Sequence, residues 1–503
     1  MRIRRVGGNI KEYTGGDYNI YSRGDIIETA GGTFTETAPE IIYGDAEPHP
    51  VKENPISLAV VEFRPASTPE AEKYDSSFGF DWMRIDDSPI PNFDTPFFNT
   101  LNQGGYYDVE TVFKYKRYES KKDYYQGLKK EYQDGSNSYP ITFRKENQVV
   151  QGNEDDSYYY YVPYLTLYSR QYVNSLPNST EEGYKKPSYE AFLSLITEVN
   201  EDVDKLDFEY NTDIFEVSLS TPLDTKKSAK KKHSCNVKIT CKKDFDTEQS
   251  IKVYALPKGS REKTEVEQRF MRTLAGKLKV LPNSEKHRKK KKILIIQIKT
   301  DVDNKSEIQE GKFNKSQTPF LYKFLHQAYV EPEISYYPEN HEDSYVDLTN
   351  DPHFKKESSK YLTEVTLQDG SKETQFKDMT GTEFYKLTTH LEEKYIPADK
   401  KDCFVIFCFG IAKGDSAGET SLRRERSVLF KATNTTTAVH ESCHGLGVLY
   451  TFTDPSYPDK NGKYFFEKYA TSNLMDYSDT KPFLYKWQWD ILQSRIEFKN
   501  QNP

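Results

Sequence analysis

The chain has 503 residues, is about one third hydrophobic, and is rich in tyrosine (38 residues) and phenylalanine (29 residues). This length predicts roughly two to four domains, and the aromatic content favours β-sandwiches over helical bundles. The net charge of −8 argues against nucleic-acid binding. We expect no membrane-spanning segment and no Sec signal peptide, and the five cysteines indicate a protein that is reduced when it is synthesised.

Residues 1–47 carry glycine pairs at 7–8, 15–16 and 31–32 between short runs of isoleucine, threonine and tyrosine. This pattern predicts very short strands joined by tight turns, too few to bury a core of their own. A glycine-rich tail is one interpretation, and a strand-rich segment that docks on a partner is the other. The segment resembles the glycine-punctuated openings of cargo proteins that are loaded on contractile secretion spikes.

Two β-sandwich domains, both Ig-like, are predicted next, at 56–175 and 188–283, with linkers at 48–55 and 176–187. Runs in which apolar and polar residues alternate predict the strands of these domains. The predicted strands are 57–65, 78–86, 139–144, the tyrosine-rich run 158–168, 206–210, 215–219, 235–241 and 251–256. Cys235 and Cys241 have the same parity on one strand, so we expect both thiols in the sandwich core. The stretches 79–82 and 162–167 resemble segments of secreted toxins of the Bacteroidetes group.

The basic run at 286–292 is interpreted as a solvated junction, after which a catalytic domain is predicted at 290–499. The apolar runs 293–298 and 403–409 predict strands that are covered on both faces. Helical spacing of apolar residues predicts helices at 320–330, 384–395 and 483–492.

The main candidate for chemistry is the stretch around His440, Glu441 and His444, which forms an HExxH motif. Residues four apart lie on one face of a helix, so the two imidazoles can bind one Zn²⁺ together. Glu441 is positioned to take a proton from water at such a metal. We expect this helix to end near 445–447, where glycine permits a sharp turn.

Met475 and Tyr477 follow in the stretch 472–477, and together with HExxH they resemble the Met-turn of the metzincin metallopeptidases. The resemblance implies zinc at His440 and His444, Glu441 as the general base that drives water onto a peptide bond, and Met475 as an apolar floor. It also implies a catalytic contribution from Tyr477 and a substrate-pairing edge strand at 428–430. The whole chain is predicted to be multidomain, with a β-rich N-terminal half followed by an α+β metzincin-like catalytic domain.

The resemblance places the third zinc ligand at Tyr450, where metzincins usually carry His or Asp. Three alternatives stay open. Tyr450 binds the metal as a phenolate, or Asp454, Asp476 or Tyr477 completes the set, or the site has lost its metal. Cys443 also lies one turn from His440, but we expect its thiol to pack inward.

The stretches 440–452, 472–478 and 486–493 together resemble a group of metzincin-like proteins from Bacteroidetes. The first hypothesis is therefore an antibacterial effector with zinc endopeptidase activity on a protein or peptide. It would be cytoplasmic before export through a type VI apparatus, with a spike component and an immunity protein as partners. The alternative is a non-catalytic pseudo-protease that acts as a carrier or binds a partner of the secretion apparatus.

Overall fold

The computed structural model describes residues 58–68, 73–84, 97–101, 105–108, 114–117, 121–133, 160–228, 233–302, 308–339, 341, 343–355, 360–452, 461–478 and 481–501. These residues belong to one compact unit that spans Ile56–Pro503. The predicted loading segment at 1–47 lies outside the described residues, as does the predicted strand at 139–144. The fold is mixed α/β with several sheets.

The strands of the N-terminal half are β1 (Ala59–Pro65), β2 (Gly79–Asp81), β3 (Gly105–Asp108), β4 (Lys114–Arg117), β5 (Tyr164–Thr166), β6 (Glu190–Val199), β7 (Val203–Glu209), β8 (Phe215–Leu219), β9 (His233–Cys241), β10 (Gln249–Pro257) and β11 (Thr273–Val280). Those of the C-terminal half are β12 (Lys289–Thr300), β13 (Gln309–Gly311), β14 (Val330–Tyr337), β15 (Val346–Asp347), β16 (Leu362–Thr366), β17 (Lys372–Phe376), β18 (Phe404–Cys408), β19 (Gly418–Thr420), β20 (Arg426–Leu429), β21 (Tyr450–Phe452) and β22 (Asn461–Phe466). The helices are α1 (Phe97–Thr100), α2 (Lys121–Lys130), α3 (Arg170–Ser175), α4 (Glu265–Met271), α5 (Thr318–Gln327), α6 (Gly381–Tyr395), α7 (Thr437–Gly445) and α8 (Lys486–Gln501).

Nine of the N-terminal strands build one sandwich of two sheets, ordered β1-β6-β9-β8 and β2-β5-β11-β10-β7, while β3 and β4 pair separately. Strands from the two blocks predicted as separate sandwiches pair with each other, since β1 lies antiparallel to β6 and β5 lies parallel to β11. The predicted boundary at 176–187 therefore does not divide two sandwiches. Alternation along a strand specifies which face is buried but not which strand is its neighbour, so the sequence could not place this boundary. Cys235 and Cys241 are both buried in this core, as predicted.

The sheet of the C-terminal half is centred on β12. On one side β14 lies parallel to it, and on the other side the order is β18, β20 and β19. β18 and β20 are parallel to β12, whereas β19 is antiparallel to β20 and forms the edge next to α7. The prediction that 428–430 lies at the edge of the sheet is thus wrong, because β20 is an interior strand between β18 and β19. β19 has only three residues, which is too short to show a periodic pattern.

Both faces of this sheet are covered, as predicted for the apolar runs at 293–298 and 403–409. Ile293 and Ile295 of β12 pack in a core with α5, α7 and α8, while Leu294 and Ile296 pack in a second core with α6. The helices α5, α6 and α8 are those predicted from helical spacing at 320–330, 384–395 and 483–492.

The sandwich is joined to this half through buried Asp81 at the end of β2. Its carboxylate accepts hydrogen bonds from the Tyr132 hydroxyl (2.8 Å), from the Lys486 backbone N–H (2.8 Å) and from Arg84 (3.1 Å). Burial raises the pKa of Asp81, and the nearby Arg84 guanidinium opposes that shift. The Arg84 guanidinium also lies 3.7 Å from the centre of the Trp82 ring. The start of α8 is thereby held against the sandwich.

The basic run at 286–292 is only partly a solvated junction, because its second half is the start of strand β12. Lys286, Lys290 and Lys292 are exposed, as predicted. Lys290 and Lys292 pair with Glu333 and Asp402 at 2.9 Å each. Lys291 is buried and pairs with Glu425 at 2.6 Å. The acidic partners of these three lysines lie far away in the sequence, so the sequence around the basic run could not predict the ion pairs.

Candidate functional site

The predicted HExxH helix is α7, which follows the interior strand β20. All nine of its residues are buried. The backbone N–H of Ala438 donates to the Gln317 side chain at 2.8 Å, which attaches the first turn to the region before α5. The helix ends at Gly445, and Gly447 adopts a φ of 97°, a conformation that favours glycine. The end predicted at 445–447 is confirmed.

His440 and His444 lie side by side with ring centroids 4.8 Å apart and planes at 88°. His440 Nδ1 is 3.0 Å from the Leu474 carbonyl oxygen, and His444 Nδ1 is 2.9 Å from the Val448 carbonyl oxygen. A carbonyl oxygen can only accept, so each Nδ1 carries the proton and donates it. In the neutral rings the lone pair is therefore on Nε2, which is the tautomer that a metal ligand requires.

The turn at 472–477 positions His440 through the Leu474 carbonyl. Met475 is fully buried beneath the helix, where the sequence predicts an apolar floor. Asp476 is also buried and shapes this turn, since its carboxylate accepts from the backbone N–H groups of Tyr469, Thr471 and Tyr477 at 2.7–2.8 Å. It accepts the Thr471 hydroxyl as well, at 2.7 Å. These bonds commit Asp476 to the turn, so it is a poor candidate for a metal ligand.

Tyr450 and Tyr477 complete the surroundings of the two histidines. The Tyr450 ring lies 4.4 Å from the His444 ring and 5.8 Å from the His440 ring, centre to centre. Tyr477 lies 6.0 Å from His440, and its hydroxyl is 2.9 Å from the Tyr450 hydroxyl. Tyr450 is buried, whereas Tyr477 is 38% exposed. The structure thus brings Tyr450 and Tyr477 to the histidines, while Asp454 lies outside the described residues.

Glu441 occupies the same helical turn and faces the edge strand β19. A Cβ atom built on Gly418 would lie 2.8 Å from Glu441 Cγ and 3.0 Å from Thr437 Cγ2. The absence of a side chain at Gly418 therefore lets the glutamate pass under the strand. Glu441 therefore lies against Gly418 of the edge strand.

Cys443 is fully buried, as predicted. Burial, with a smaller contribution from the charge of Glu441, raises the pKa of its thiol well above the ordinary value. The thiol packs in the core formed by β12, α5, α7 and α8.

A second group that could hold a metal ion consists of Asp351, His353 and His390, whose ligand atoms lie within 4.8 Å of one another. Sequence reasoning missed this group. The Asp-Pro-His stretch at 351–353 is its only local signal, and His390 is far away on α6. Among the residues that the structure describes, this is the one such His/Cys/Asp/Glu group.

Comparison with family models, with curated proteins and with solved structures found no match to this chain. Within the described ranges, each helix is too short or too polar to cross a bilayer.

Proposed function

We propose that the chain is a zinc-dependent endopeptidase whose active centre is built on α7. The observation that carries this proposal is the convergence of His440 and His444 beside Glu441, with both Nδ1 atoms committed to main-chain carbonyls. Packed core histidines need no such matched arrangement, whereas metal-binding histidines characteristically donate their second nitrogen to a fixed acceptor.

The donor set fits zinc. Two imidazoles in the correct tautomer supply nitrogen ligands, and Tyr450, whose ring centre lies 4.4 Å from that of His444, offers its hydroxyl oxygen for the third position. Among the alternatives open at the sequence level, we favour Tyr450 because Asp476 is committed to its turn. Tyr477 is left to interact with Tyr450 or with the substrate.

A zinc ion bound there would polarise a peptide carbonyl and make water more acidic. In this proposal Glu441 is the general base, which accepts the proton of the attacking water and returns it to the departing amine. The exposed Tyr477 hydroxyl donates to the oxygen on which negative charge develops, and it supports Tyr450 in the ground state. Met475 and the turn around it keep His440 oriented.

The edge strand β19 provides the place for an extended substrate. It lies antiparallel to β20, and its other edge has the backbone groups with which an added strand pairs. Because Glu441 lies against Gly418 of this strand, a peptide paired with β19 would run past the general base. This geometry favours an endopeptidase over an enzyme that acts on free small molecules.

The biological setting proposed for this activity is export by a contractile type VI apparatus and attack on a competing bacterium. It is supported by the resemblance of the N-terminal segment and of the C-terminal motifs to such effectors. A spike component and an immunity protein are the partners that this setting requires. Competition between strains that carry the unaltered chain or the Glu441→Gln variant tests it, and equal killing by both strains would exclude an enzymatic effector.

Zinc content is the first test of the proposed activity. We expect the unaltered chain to hold one more zinc than a variant with His440→Gln and His444→Gln, as measured by elemental analysis after dialysis. Cleavage of unfolded casein should stop when a chelator is added and resume when zinc is returned. Equal zinc content in the two proteins would overturn the proposal.

One observation favours the second candidate, a non-catalytic binding protein. The Tyr450 and Tyr477 hydroxyls hydrogen-bond each other at 2.9 Å, which gives each phenol oxygen a protein partner without a metal. This candidate predicts no zinc difference in the same measurement and a stable partner in pull-down. Glu441→Gln would then leave partner binding unchanged.

A further inference from the structure

We propose a second site, for a divalent transition metal such as zinc, formed by Asp351, His353 and His390. It is separate from the α7 site and does not depend on the function proposed above. Two imidazoles and one carboxylate are a ligand set that suits Zn²⁺ and its neighbours in the first transition row.

Both histidines already converge on the Asp351 carboxylate, one at each of its oxygens. His353 Nδ1 lies 3.0 Å from Asp351 Oδ1, and His390 Nε2 lies 3.0 Å from Asp351 Oδ2. The two imidazole rings are 4.1 Å apart, centre to centre. Ligand atoms around a tetrahedral zinc are separated by roughly 3.3 Å, as follows from bonds of about 2.0–2.1 Å. To bind an ion, each imidazole moves the proton that it now donates to Asp351 onto its other ring nitrogen, so that His353 Nδ1 and His390 Nε2 offer lone pairs. The short distances mean that the side chains then need only small shifts.

The ligands are carried by ordered elements. Asp351 caps a short 3₁₀ turn, Pro352–Phe354, by accepting the backbone N–H of His353 at 2.9 Å. His390 is on α6, which begins with a capping box between Thr380 and Glu383. Ligands that are fixed before binding lose little conformational freedom when the metal arrives.

The charge in this group is arranged for a cation. Burial by itself raises the pKa of Asp351, but hydrogen bonds from Tyr395 and Lys394 outweigh it and hold the pKa well below its usual range. The Lys394 ammonium, 2.9 Å from Asp351 Oδ2, now supplies the positive charge. A metal ion would replace it, and the half-exposed lysine side chain can move into water.

The group is also open to solvent on one side. The Asp351 side chain is only 1% exposed, whereas that of His353 is 38% exposed. Three protein ligands and an accessible fourth position are the pattern of a site that retains a water or takes an external ligand. An ion here would link the 3₁₀ turn to α6.

The test uses the full chain with His440→Gln and His444→Gln, so that the α7 site cannot bind. We expect titration with Co²⁺ to give visible d–d absorption that saturates at one ion per chain and is displaced by Zn²⁺. Adding His353→Gln or His390→Gln should weaken zinc binding at least tenfold. Adding Lys394→Met should strengthen it several-fold, because the competing cation is removed.

His233→Gln is the matched control, since His233 also pairs with a carboxylate, that of Asp224 at 3.1 Å, but belongs to no group of three candidate ligands among the described residues. It should leave zinc binding unchanged. If the α7 substitutions prevent folding, the same comparison is made in the unaltered chain, where His353→Gln with His390→Gln should remove one zinc. Zinc binding that is equal with and without His353 and His390 would overturn the proposal.

Discussion

The rings of His440 and His444 and those of His353 and His390 are similarly far apart, 4.8 Å and 4.1 Å between centres, but the two pairs have different hydrogen-bond partners. His440 and His444 share one helix and each donates Nδ1–H to a main-chain carbonyl. His353 and His390 come from different elements and both donate to one carboxylate, beside a lysine ammonium. A carbonyl only orients an imidazole, whereas a carboxylate also competes to be a ligand itself. The first pair thus resembles a prepared metal site, and the second an ion-paired group that a metal can enter.

The substitution that best distinguishes the two histidine pairs is Glu441→Gln. Glu441 is the proposed general base beside the α7 pair, and no such base is proposed for the Asp351 group. Glu441→Gln keeps the size of the side chain and removes the base, so the rate of peptide cleavage should fall by roughly 10²- to 10⁴-fold. Zinc content should not change. Elemental analysis and cleavage of a fluorescent peptide measure both.

His353→Gln is the control for this substitution and should leave the cleavage rate within about twofold of the unaltered protein. If His353→Gln lost most of its activity while Glu441→Gln stayed active, the catalytic site would be the Asp351 group and not α7.

The sequence predicted the α7 pair because its signals are local. The four-residue spacing and the glycine after the helix lie within one stretch of the chain, whereas the turn with Met475 was recognised by its resemblance to the metzincins. The strands β12 and β18 were predictable for the same reason, since continuous apolar runs indicate burial on both faces. These features need no knowledge of which elements are neighbours.

The remaining features depend on contacts between distant residues. The pairing of β1 with β6 merges the predicted sandwiches, and three-residue β19 takes the edge assigned to 428–430. The Asp351 group forms because α6 is packed beside a 3₁₀ turn. Alternation and helical spacing report burial only, so neither pattern predicts such contacts.

The buried carboxylate of Asp476 offers a second way to distinguish the two sites. It supports the turn that orients His440 of the α7 pair, and none of its hydrogen bonds to described residues reaches the Asp351 group. Asp476→Ala leaves several buried donors of the turn without their acceptor, so the free energy of unfolding should fall by about 3 kcal/mol. Urea denaturation followed by circular dichroism measures this. Zinc binding at α7 should weaken as well, since the same turn carries the carbonyl that orients His440.

Asp369→Ala is the matched control for that substitution. Asp369 also accepts from a backbone N–H and a hydroxyl, both of Ser371, but in an exposed turn. Its loss should change the free energy of unfolding by no more than about 0.5 kcal/mol. Equal effects of the two substitutions would mean that the 472–477 turn is not a special support of the site.

The edge strand gives a smaller effect that only the α7 site should show. Gly418→Ala places a methyl group 2.8 Å from Glu441 Cγ, which is too close, so the glutamate must shift. We expect a loss of about 2 kcal/mol in the free energy of unfolding and a roughly tenfold slower cleavage. Gly381→Ala, in open space at the start of α6, is the control. It should leave the cleavage rate unchanged and should raise the free energy of unfolding slightly, by up to about 1 kcal/mol. An unchanged cleavage rate after Gly418→Ala would mean that the position of Glu441 against the edge strand does not matter for the reaction.

The smallest expected effect decides whether the α7 pair has a third ligand. Tyr450→Phe and Tyr477→Phe each remove one end of the same 2.9 Å hydrogen bond, so any cost of losing that bond is common to both. If Tyr450 binds the metal, Tyr450→Phe should weaken zinc about tenfold more than Tyr477→Phe, which corresponds to about 1.4 kcal/mol. Tyr450→His should restore or exceed the original affinity, because imidazole is a strong zinc ligand. Competition with a chromogenic chelator measures all three. Equal affinities in the two phenylalanine variants would mean that the phenols only bond each other, and the α7 pair would then be no better prepared for zinc than the Asp351 pair.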